Sequence, residues 1–422
     1  MLDIKFIREN KDVVIAGAKK KHIEVDIEQL LKLDDLRKEL QVKVEEKRAE
    51  QNTASNAIAS ADDAERARII DSMSSVKQAL KLSEEELAKV MQDWRTLMVQ
   101  VPNVPDMSVP DGDSDADNQE IKTWGEIPKF DFEPKNHIDI MLDHNMVDLE
   151  RGTKVAGFRG YYLKNDGARL AWAIWQYAQQ FFLQKEFTPM IVPSLVRREA
   201  FLGSGYLPQG EDDLYKTQDG DYLAGTAEVA TMGYYMNEVI EKSTLPEKFL
   251  SFSPCYRREA GAHGKDTRGL IRVHEFYKWE QVILCEASHE ESVKWHEWLN
   301  RNTEEFIESL KIPYHTVVNC GGDLGLGQVK KYDIELWVPG ENTYREIAST
   351  SYFHDFQTRR LNIRYKDDAG IMRFAHSMNS TAVPTPRILV SIIENYQRAD
   401  GSIEIPEVLR SFMGKYAIEK RN

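Results

Sequence analysis

Cysteine is scarce in this chain of 422 residues, limited to Cys255, Cys285 and Cys320. An odd number with no C-x-x-C spacing excludes a disulfide framework and a cysteine zinc site. No zinc is expected, and the thiols read as reduced, which places the chain in the cytoplasm. Long apolar runs are also missing. With 41% hydrophobic and 29% charged residues, the composition is that of a soluble globular protein, and no stretch approaches the length of a membrane span. The opening MLDIKFIRENKDVV carries Asp3, Lys5, Arg8 and Glu9, and so does not read as a signal peptide. Excess positive charge is absent too, the net charge being −14. Spread evenly, that balance would count against a nucleic-acid partner. Residues 101–150, however, hold 13 acids against 3 Lys and Arg, whereas residues 1–100 hold 20 against 18. Acidity is concentrated in one segment, which leaves room for basic surfaces elsewhere.

Proline is absent from the first hundred residues, and glycine occurs there once, at Gly17. A chain this long divides into two or three parts. From about Asp26 to Val101 it is rich in Leu, Glu, Lys and Ala. The second half of that stretch steps by four and three through Val76, Leu80, Ser83, Leu87, Val90, Trp94, Leu97 and Val101, a heptad seam. The first half offers Leu30, Leu33, Leu36, Leu40 and Val44 before its pattern dilutes. The small, polar run 52–66 reads as a turn, so an antiparallel helical hairpin is expected over residues 1–100. A 33-residue helix from Ile27 would reach roughly 50 Å. Cations lie off the seam: Arg37, Lys38, Lys43, Lys47 and Arg48 on one helix, Lys77, Lys81, Lys89 and Arg95 on the other. Interleaved acids make them fit a solvated face as well as a phosphate-binding one, and periodicity alone describes a spacer or dimerisation device. Pro102, Pro105 and Pro110 then open an acidic linker, 101–124. Its run 111–122 resembles a calcium loop but has Ala116 and Lys122 where Gly and Glu are required, so calcium is not expected. Residues 125–422 read as one α+β domain. Strand-like segments there include YYLK, PMIVP, FLSFSP, EFYKWEQVIL and DIELWV, with helices at about 168–185, 288–310 and 387–397.

The most chemically loaded stretch is YRREAGAHGKDTRGLIRVHEFYKWE, 256–280. Arg257 is a fixed-charge fork suited to phosphate, and on a strand Glu259 shares its face. AGAHGKDTRG supplies a long hairpin loop. On a returning strand Arg272, His274, Phe276, Lys278 and Glu280 alternate onto one face. A single such hairpin ordinarily pairs its charges in solvent. A face of cation, imidazole, aromatic, cation and carboxylate is better suited to holding a charged, ring-bearing ligand such as ATP.

This stretch closely resembles motif 2 of class II aminoacyl-tRNA synthetases, in the form found in seryl-tRNA synthetases. Three further segments are similar to that family: YLAGTAEVA (222–230), KKYDIELWVPGENTYREIASTSYFHDFQTRRLNIRYK (330–366) and HSMNSTAVPTPRILVSIIENYQ (376–397), the last in the position of motif 3. Motif 1 is matched more weakly by the helix around 168–185 and FTPMIVP with Pro193. The resemblance covers nearly the whole chain, in order. It implies an α+β protein: an N-terminal antiparallel coiled-coil hairpin, then a class II antiparallel-sheet catalytic domain with flanking helices. The implied activity joins L-serine to ATP, giving seryl-adenylate and pyrophosphate, then moves serine to the 3′ end of tRNA(Ser), with tRNA(Sec) as a further acceptor. The arm would cradle tRNA, the catalytic domains would form a homodimer through motif 1, and no membrane is involved.

Adenylate formation sets one anion against another, so it needs aligned cations more than a general base. By resemblance, Arg257 and Arg387 are catalytic, holding the α- and γ-phosphates. Phe276 stacks on adenine, Glu259 and the Val273 backbone fix the nucleotide, and Arg272 adds charge. Arg258, Glu346, Ile347, Ala348 and Ser349 complete the ATP site. Glu346 and Ser349 carry the hard oxygens that Mg²⁺ prefers. Serine falls to Glu280, which takes the ammonium, with Thr226, Ala227, Glu228, Arg257, Asn379 and Thr381. Where the family commonly reads EISSCSN, this chain has EIASTSY, placing Ala348, Thr350 and Tyr352 at the differing positions, and HEFYKWE replaces the commoner HQFxKVE. Two other readings are a ligase charging a different carrier, for which the arm would be idle, and an inactive scaffold. The scaffold would have lost one of Arg257, Glu280, Glu346 or Arg387, and all four are present.

Overall fold

The computed structural model describes residues 1–58, 62–261, 264 and 266–420, and gives the backbone alone for residues 65, 67 and 70. It has two compact units. One is made of Leu2–Lys19 and Ile23–Pro102, the other of Met1, Lys20–His22 and the chain from Asn103 onward.

In the first unit, α1 (Ile27–Ile58) and α2 (Asp63–Met98) form the hairpin. Arg37 lies over the Trp94 ring at 5.1 Å and Arg48 bonds Glu84 at 2.8 Å, so the contacts step in opposite directions along the two helices, as antiparallel pairing requires. Leu80, Val90 and Val101 are buried on one side and Ile27, Leu30, Leu40 and Val44 on the other, which bears out the seam. Leu36 departs from the expectation and is 37% exposed. Helical geometry places Asp34 on the seam in its stead. Burial alone would raise the Asp34 pKa, but bonds from Lys38, Arg37 and Arg8 hold it at about 2. Most of the segment expected as a turn, 52–66, is helical, because α1 continues to Ile58 and α2 begins at Asp63; residues 59–61 lie outside the described residues. Beyond Val44 no residue of α1 is buried, in keeping with the dilution of its apolar pattern.

The second unit is built on an eight-stranded sheet. Its strands are β1 (Gln119–Trp124), β2 (Thr188–Ile191), β3 (Glu247–Tyr256), β4 (Glu275–Cys285), β5 (Tyr314–Val318), β6 (Lys330–Val338), β7 (Thr343–His354) and β8 (His376–Thr385). They lie in the order β1-β5-β6-β7-β8-β4-β3-β2. All pairs are antiparallel except the last, β3 with β2. Residues 119–124, inside the segment read as linker, are therefore an edge strand paired with β5, and Asn103 and Val109 in the same segment are buried. The helices are α3 (Asp166–Leu183), α4 (Ala227–Gly233), α5 (His289–Ser309), α6 (Phe356–Leu361) and α7 (Arg387–Asn395). Leu170, Ile174 and Phe182 of α3, Leu299 and Phe306 of α5 and Ile388 and Leu389 of α7 join Leu250, Ile283, Ile334 and Met378 of the sheet in one core. Strand alternation separates the faces. On β4, Trp279 and Ile283 join that core and Gln281 bonds Thr303 of α5 (2.9 Å), whereas Phe276, Lys278 and Glu280 face the other way. Among the described residues, no helix is long and apolar enough to cross a membrane.

Candidate active site

The face of the sheet opposite the core holds a cleft with about 1130 Å³ of atom-free space, part of it open to solvent. Two β-bulges shape it. On β7, Glu335 pairs with Glu346 and Ile334 with Ala348, leaving Ile347 as the extra residue. Glu346 and Ser349 are three apart and would face opposite ways on a regular strand; the bulge brings both to the cleft. On β8 the extra residue is Ala382, between the partners of Trp279 and Glu280. The bulge reverses the alternation, so Asn379 and Thr381 share the cleft wall with Pro384 and Pro386.

One end is cationic. Arg257 extends over the Phe276 ring at 5.2 Å and donates from Nε to Gly225 O (3.3 Å). Arg272 pairs with Glu259 (2.6 Å) and Asp266 (3.3 Å). Arg387, the first residue of α7, donates to Ile271 O (2.9 Å) and to Glu346 O (2.8 Å). Burial lowers the Arg387 pKa, opposed by the charge of Glu346. The strands here are shorter than the alternation implied. β3 ends at Tyr256 and β4 starts at Glu275, so Arg257, Glu259 and Arg272 reach the cleft from irregular chain, and Glu259 has a φ of 55°. His274 is not on the cleft face; its ring Nδ1 lies 2.9 Å from Arg257 O, and it lines a neighbouring hollow with Tyr215 and Phe158. Residues 262, 263 and 265 of the expected loop lie outside the described residues.

The other end is acidic and buried. Glu280 is fully buried, paired with Lys278 and accepting from Asn379 Nδ2 at 2.8 Å. Lys278 also donates to Thr226 Oγ1 (2.9 Å), and Thr226 caps α4 by accepting from Glu228 N (3.3 Å). Asn379 Nδ2 bonds Glu228 as well, at 3.1 Å. Burial, then the charge of Glu280, pushes the Glu228 pKa up to about 7 against the opposing bonds from Gln357 and Tyr206. Tyr206 donates to Glu228 Oε2 (2.9 Å) and Gln357 to Oε1 (2.6 Å). Neither Tyr206 nor Gln357 was identified from the sequence, where no local pattern ties either to Glu228. The buried Oδ1 of Asn379 has no hydrogen-bond partner among the described residues.

Of the residues singled out from sequence, Ala227, Arg258 and Ala348 are not in the cleft wall. Ala227 is buried in α4, Arg258 donates to Asp212 O (3.1 Å) from an exposed side chain, and Ala348 packs in the core. Strand alternation puts all three EIASTSY differences on the β7 face away from the cleft. Thr350 bonds Ser380 Oγ (2.8 Å) and Tyr352 donates to Asp106 (3.1 Å).

An antiparallel sheet carrying a cationic hairpin site and a helix-borne arginine defines a class II aminoacyl-tRNA synthetase core. Residues 214–396 match the family described as tRNA synthetase class II core domain (G, H, P, S and T). Residues 1–105 match the seryl-tRNA synthetase N-terminal domain. The chain is 41% identical to the serine–tRNA ligase of Deinococcus radiodurans over 415 residues, 98% of each protein. It is 40% identical to that of Nitrosopumilus maritimus over 418 residues, covering 98% of this chain and 99% of the relative. A solved structure of Pyrococcus horikoshii seryl-tRNA synthetase complexed with ATP superposes with a TM-score of 0.90 at 35% identity, covering both chains completely. The chain belongs to the seryl-tRNA synthetase family.

Proposed function

We propose that the protein activates L-serine with ATP, forming seryl-adenylate and pyrophosphate, and then transfers serine to the 3′ end of tRNA(Ser), with tRNA(Sec) as a further acceptor. The observation that carries this reading is one cleft with three arginines at one end and two buried carboxylates at the other. A nucleotide and an amino acid, placed head to head there, would meet beside Arg257. Arg257 neutralises the α-phosphate and aligns it with the serine carboxylate, Arg387 takes the γ-phosphate, and Arg272 adds charge between them. Phe276 offers its ring to adenine, with Glu259 and the Val273 backbone beside it. Glu280 takes the serine ammonium, while Thr226, Glu228, Asn379 and Thr381 surround the side chain. The unpaired Asn379 Oδ1 is an acceptor for a ligand N–H or O–H.

The Glu346 carboxylate and Ser349 hydroxyl, brought to one face by the bulge, form an oxygen donor set of the kind Mg²⁺ selects. When bound there, Mg²⁺ would neutralise phosphate charge. Residues 1–100 supply the arm for tRNA, 101–124 the connection and 125–422 the catalytic domain. In the arm, Arg37, Lys38, Lys43, Lys47, Arg48 and Lys81 already sit in ion pairs with neighbouring acids, so family membership, not surplus charge, supports tRNA binding. A homodimer through motif 1 is favoured by exposed apolar side chains there: Trp172 of α3 (57%) and Ile191 of β2 (86%). The protein works in the cytoplasm. Serine-dependent ATP–pyrophosphate exchange, followed by charging of tRNA(Ser), tests the reading; exchange that does not depend on serine would overturn it.

A further inference from the structure

Lys21 is a buried lysine outside the site described above, 3% exposed. Burial pushes its pKa well below the ordinary lysine range, and no carboxylate among the described residues pairs with it. Its ammonium donates instead to three backbone carbonyls, Gly325 O (3.0 Å), Leu326 O (3.1 Å) and Gln328 O. An ammonium has three donors and no acceptor, so this nest matches it bond for bond. The remaining carbonyl of the loop is held by a second buried residue. Asn103 Nδ2 donates to Gly327 O (3.1 Å) and Phe353 O (2.7 Å), and its backbone N–H donates to Leu326 O (2.9 Å). Every carbonyl of residues 325–328 is thus engaged by Lys21 or Asn103. In the chain these two residues flank the longer segment of the helical unit, Ile23–Pro102.

The loop they hold is part of the cleft wall. Gln328 Nε2 donates to Ser351 Oγ at 2.8 Å while its Oε1 accepts from Gly325 N at 2.6 Å. Ser351 lies directly across from Asn379 in the sheet, and Asn379 bridges Glu228 and Glu280. Gly327 leaves little slack, since a Cβ there would come within 2.7 Å of the Phe356 ring. We propose that Lys21 and Asn103 are positioning residues for the amino-acid end of the cleft, fixing loop 325–328 and, through Gln328 and Ser351, the Asn379 corner. The inference rests on the assignment of that end to serine. Removing the ammonium takes a donor from all three carbonyls and leaves Gln328 O without a partner, since Leu326 O keeps Asn103 N and Gly325 O keeps Gln328 N; the loop must then move to bring Gln328 O to water.

The test compares Lys21→Met and Asn103→Leu, near-isosteric changes that delete the donors, with the unaltered protein. Hydrogen exchange of the amides at 325–329, read without substrate, should accelerate. The KM for serine in ATP–pyrophosphate exchange should rise about tenfold or more, because small misplacements of a positioning group are costly, while the KM for ATP stays within about twofold. An unchanged KM for serine, or a parallel rise in both KM values with a lowered melting temperature, would overturn the proposal. Unchanged protection at 325–329 would overturn the loop's dependence on these residues. If Lys21→Met fails to fold, Asn103→Leu decides by the same readings. Absence of serine-dependent exchange in the unaltered protein would instead sink the assignment of serine, leaving hydrogen exchange to judge the loop.

Discussion

The two ends of the cleft solve opposite electrostatic problems. At the cationic end, half-buried Arg257, Arg272 and Arg387 are held by carbonyls, by a ring and by Glu259 and Asp266. Such a site attracts a polyanion by charge and tolerates water at its mouth. At the acidic end, Glu228 and Glu280 are buried at 2% and 0% exposure, and apart from Lys278 their partners are neutral: Asn379, Tyr206 and Gln357. With Lys278 the one cation against two buried carboxylates, the pocket carries an unmatched negative charge, which is costly unless Glu228 takes a proton or a small cationic group completes the site. On the proposed assignment the labour is divided: affinity for nucleotide would come from Coulomb attraction at a wet end, selectivity for the amino acid from matched hydrogen bonds at a dry one. A dry, hydrogen-bonding pocket rejects alanine strongly, since its polar groups are then left unpaired.

The largest expected effect lies at the cationic end. Arg257→Ala should slow adenylate formation by about 2–4 kcal/mol of transition-state stabilisation, the size of losing one oxyanion donor. Thermal melting should change little, because the side chain makes one long bond to Gly225 O and a half-exposed contact with the Phe276 ring. Exchange at the unaltered rate would remove Arg257 from the chemistry.

A smaller effect is expected at the acidic end and depends on pH. Glu228 loses its proton near 7 when folded, against 4.5 ordinarily. Between those values the unfolded chain binds fewer protons than the folded one, so stability falls as pH rises from about 4.5 to about 7. Glu228→Gln should remove roughly 1–3 kcal/mol of that fall, visible as a flatter melting temperature between pH 5 and 8. Parallel curves for the two proteins would mean that Glu228 is charged across the range.

The smallest effect on the cleft is expected from the arm. Replacing residues 27–100 with a short Gly/Ser linker should leave serine-dependent exchange near normal while charging of tRNA collapses. The salt dependence of tRNA affinity should also become shallower, each lost phosphate contact removing roughly 0.7–0.9 from its log–log slope. Full charging without the arm would reduce the hairpin to a spacer.

What could be read from the sequence follows the range of the interactions involved. The α2 seam was legible because burial on a long helix repeats with a fixed period, and Leu80 and Val90 are buried as that period demands. Leu36 misled because composition outweighed phase, the buried position going to Asp34 through three cations, one of them Arg8, 26 positions away. Phe276, Lys278 and Glu280 followed from alternation alone, whereas His274 and Arg272 did not, since no residue pattern marked Glu275 as the first of β4. Glu346 and Ser349 came from family resemblance; alternation would have separated them, and the bulge at Ile347 that unites them has no glycine or other local mark. Tyr206, Gln357 and Lys21 were illegible for one reason. Each acts on residues away along the chain, at separations of 22, 129 and 304 positions, and only the fold brings the partners together.

The division of labour is tested most directly by measuring both KM values in ATP–pyrophosphate exchange for Glu280→Ala and Arg387→Ala. A crossed result is expected. Glu280→Ala should weaken serine by roughly 1.5–3 kcal/mol, the worth of a charged hydrogen bond, with ATP little affected, and Arg387→Ala should weaken ATP with serine little affected. If Glu280→Ala instead raises the KM for ATP and leaves that for serine unchanged, or if both variants raise the same KM, the two ends do not serve separate substrates.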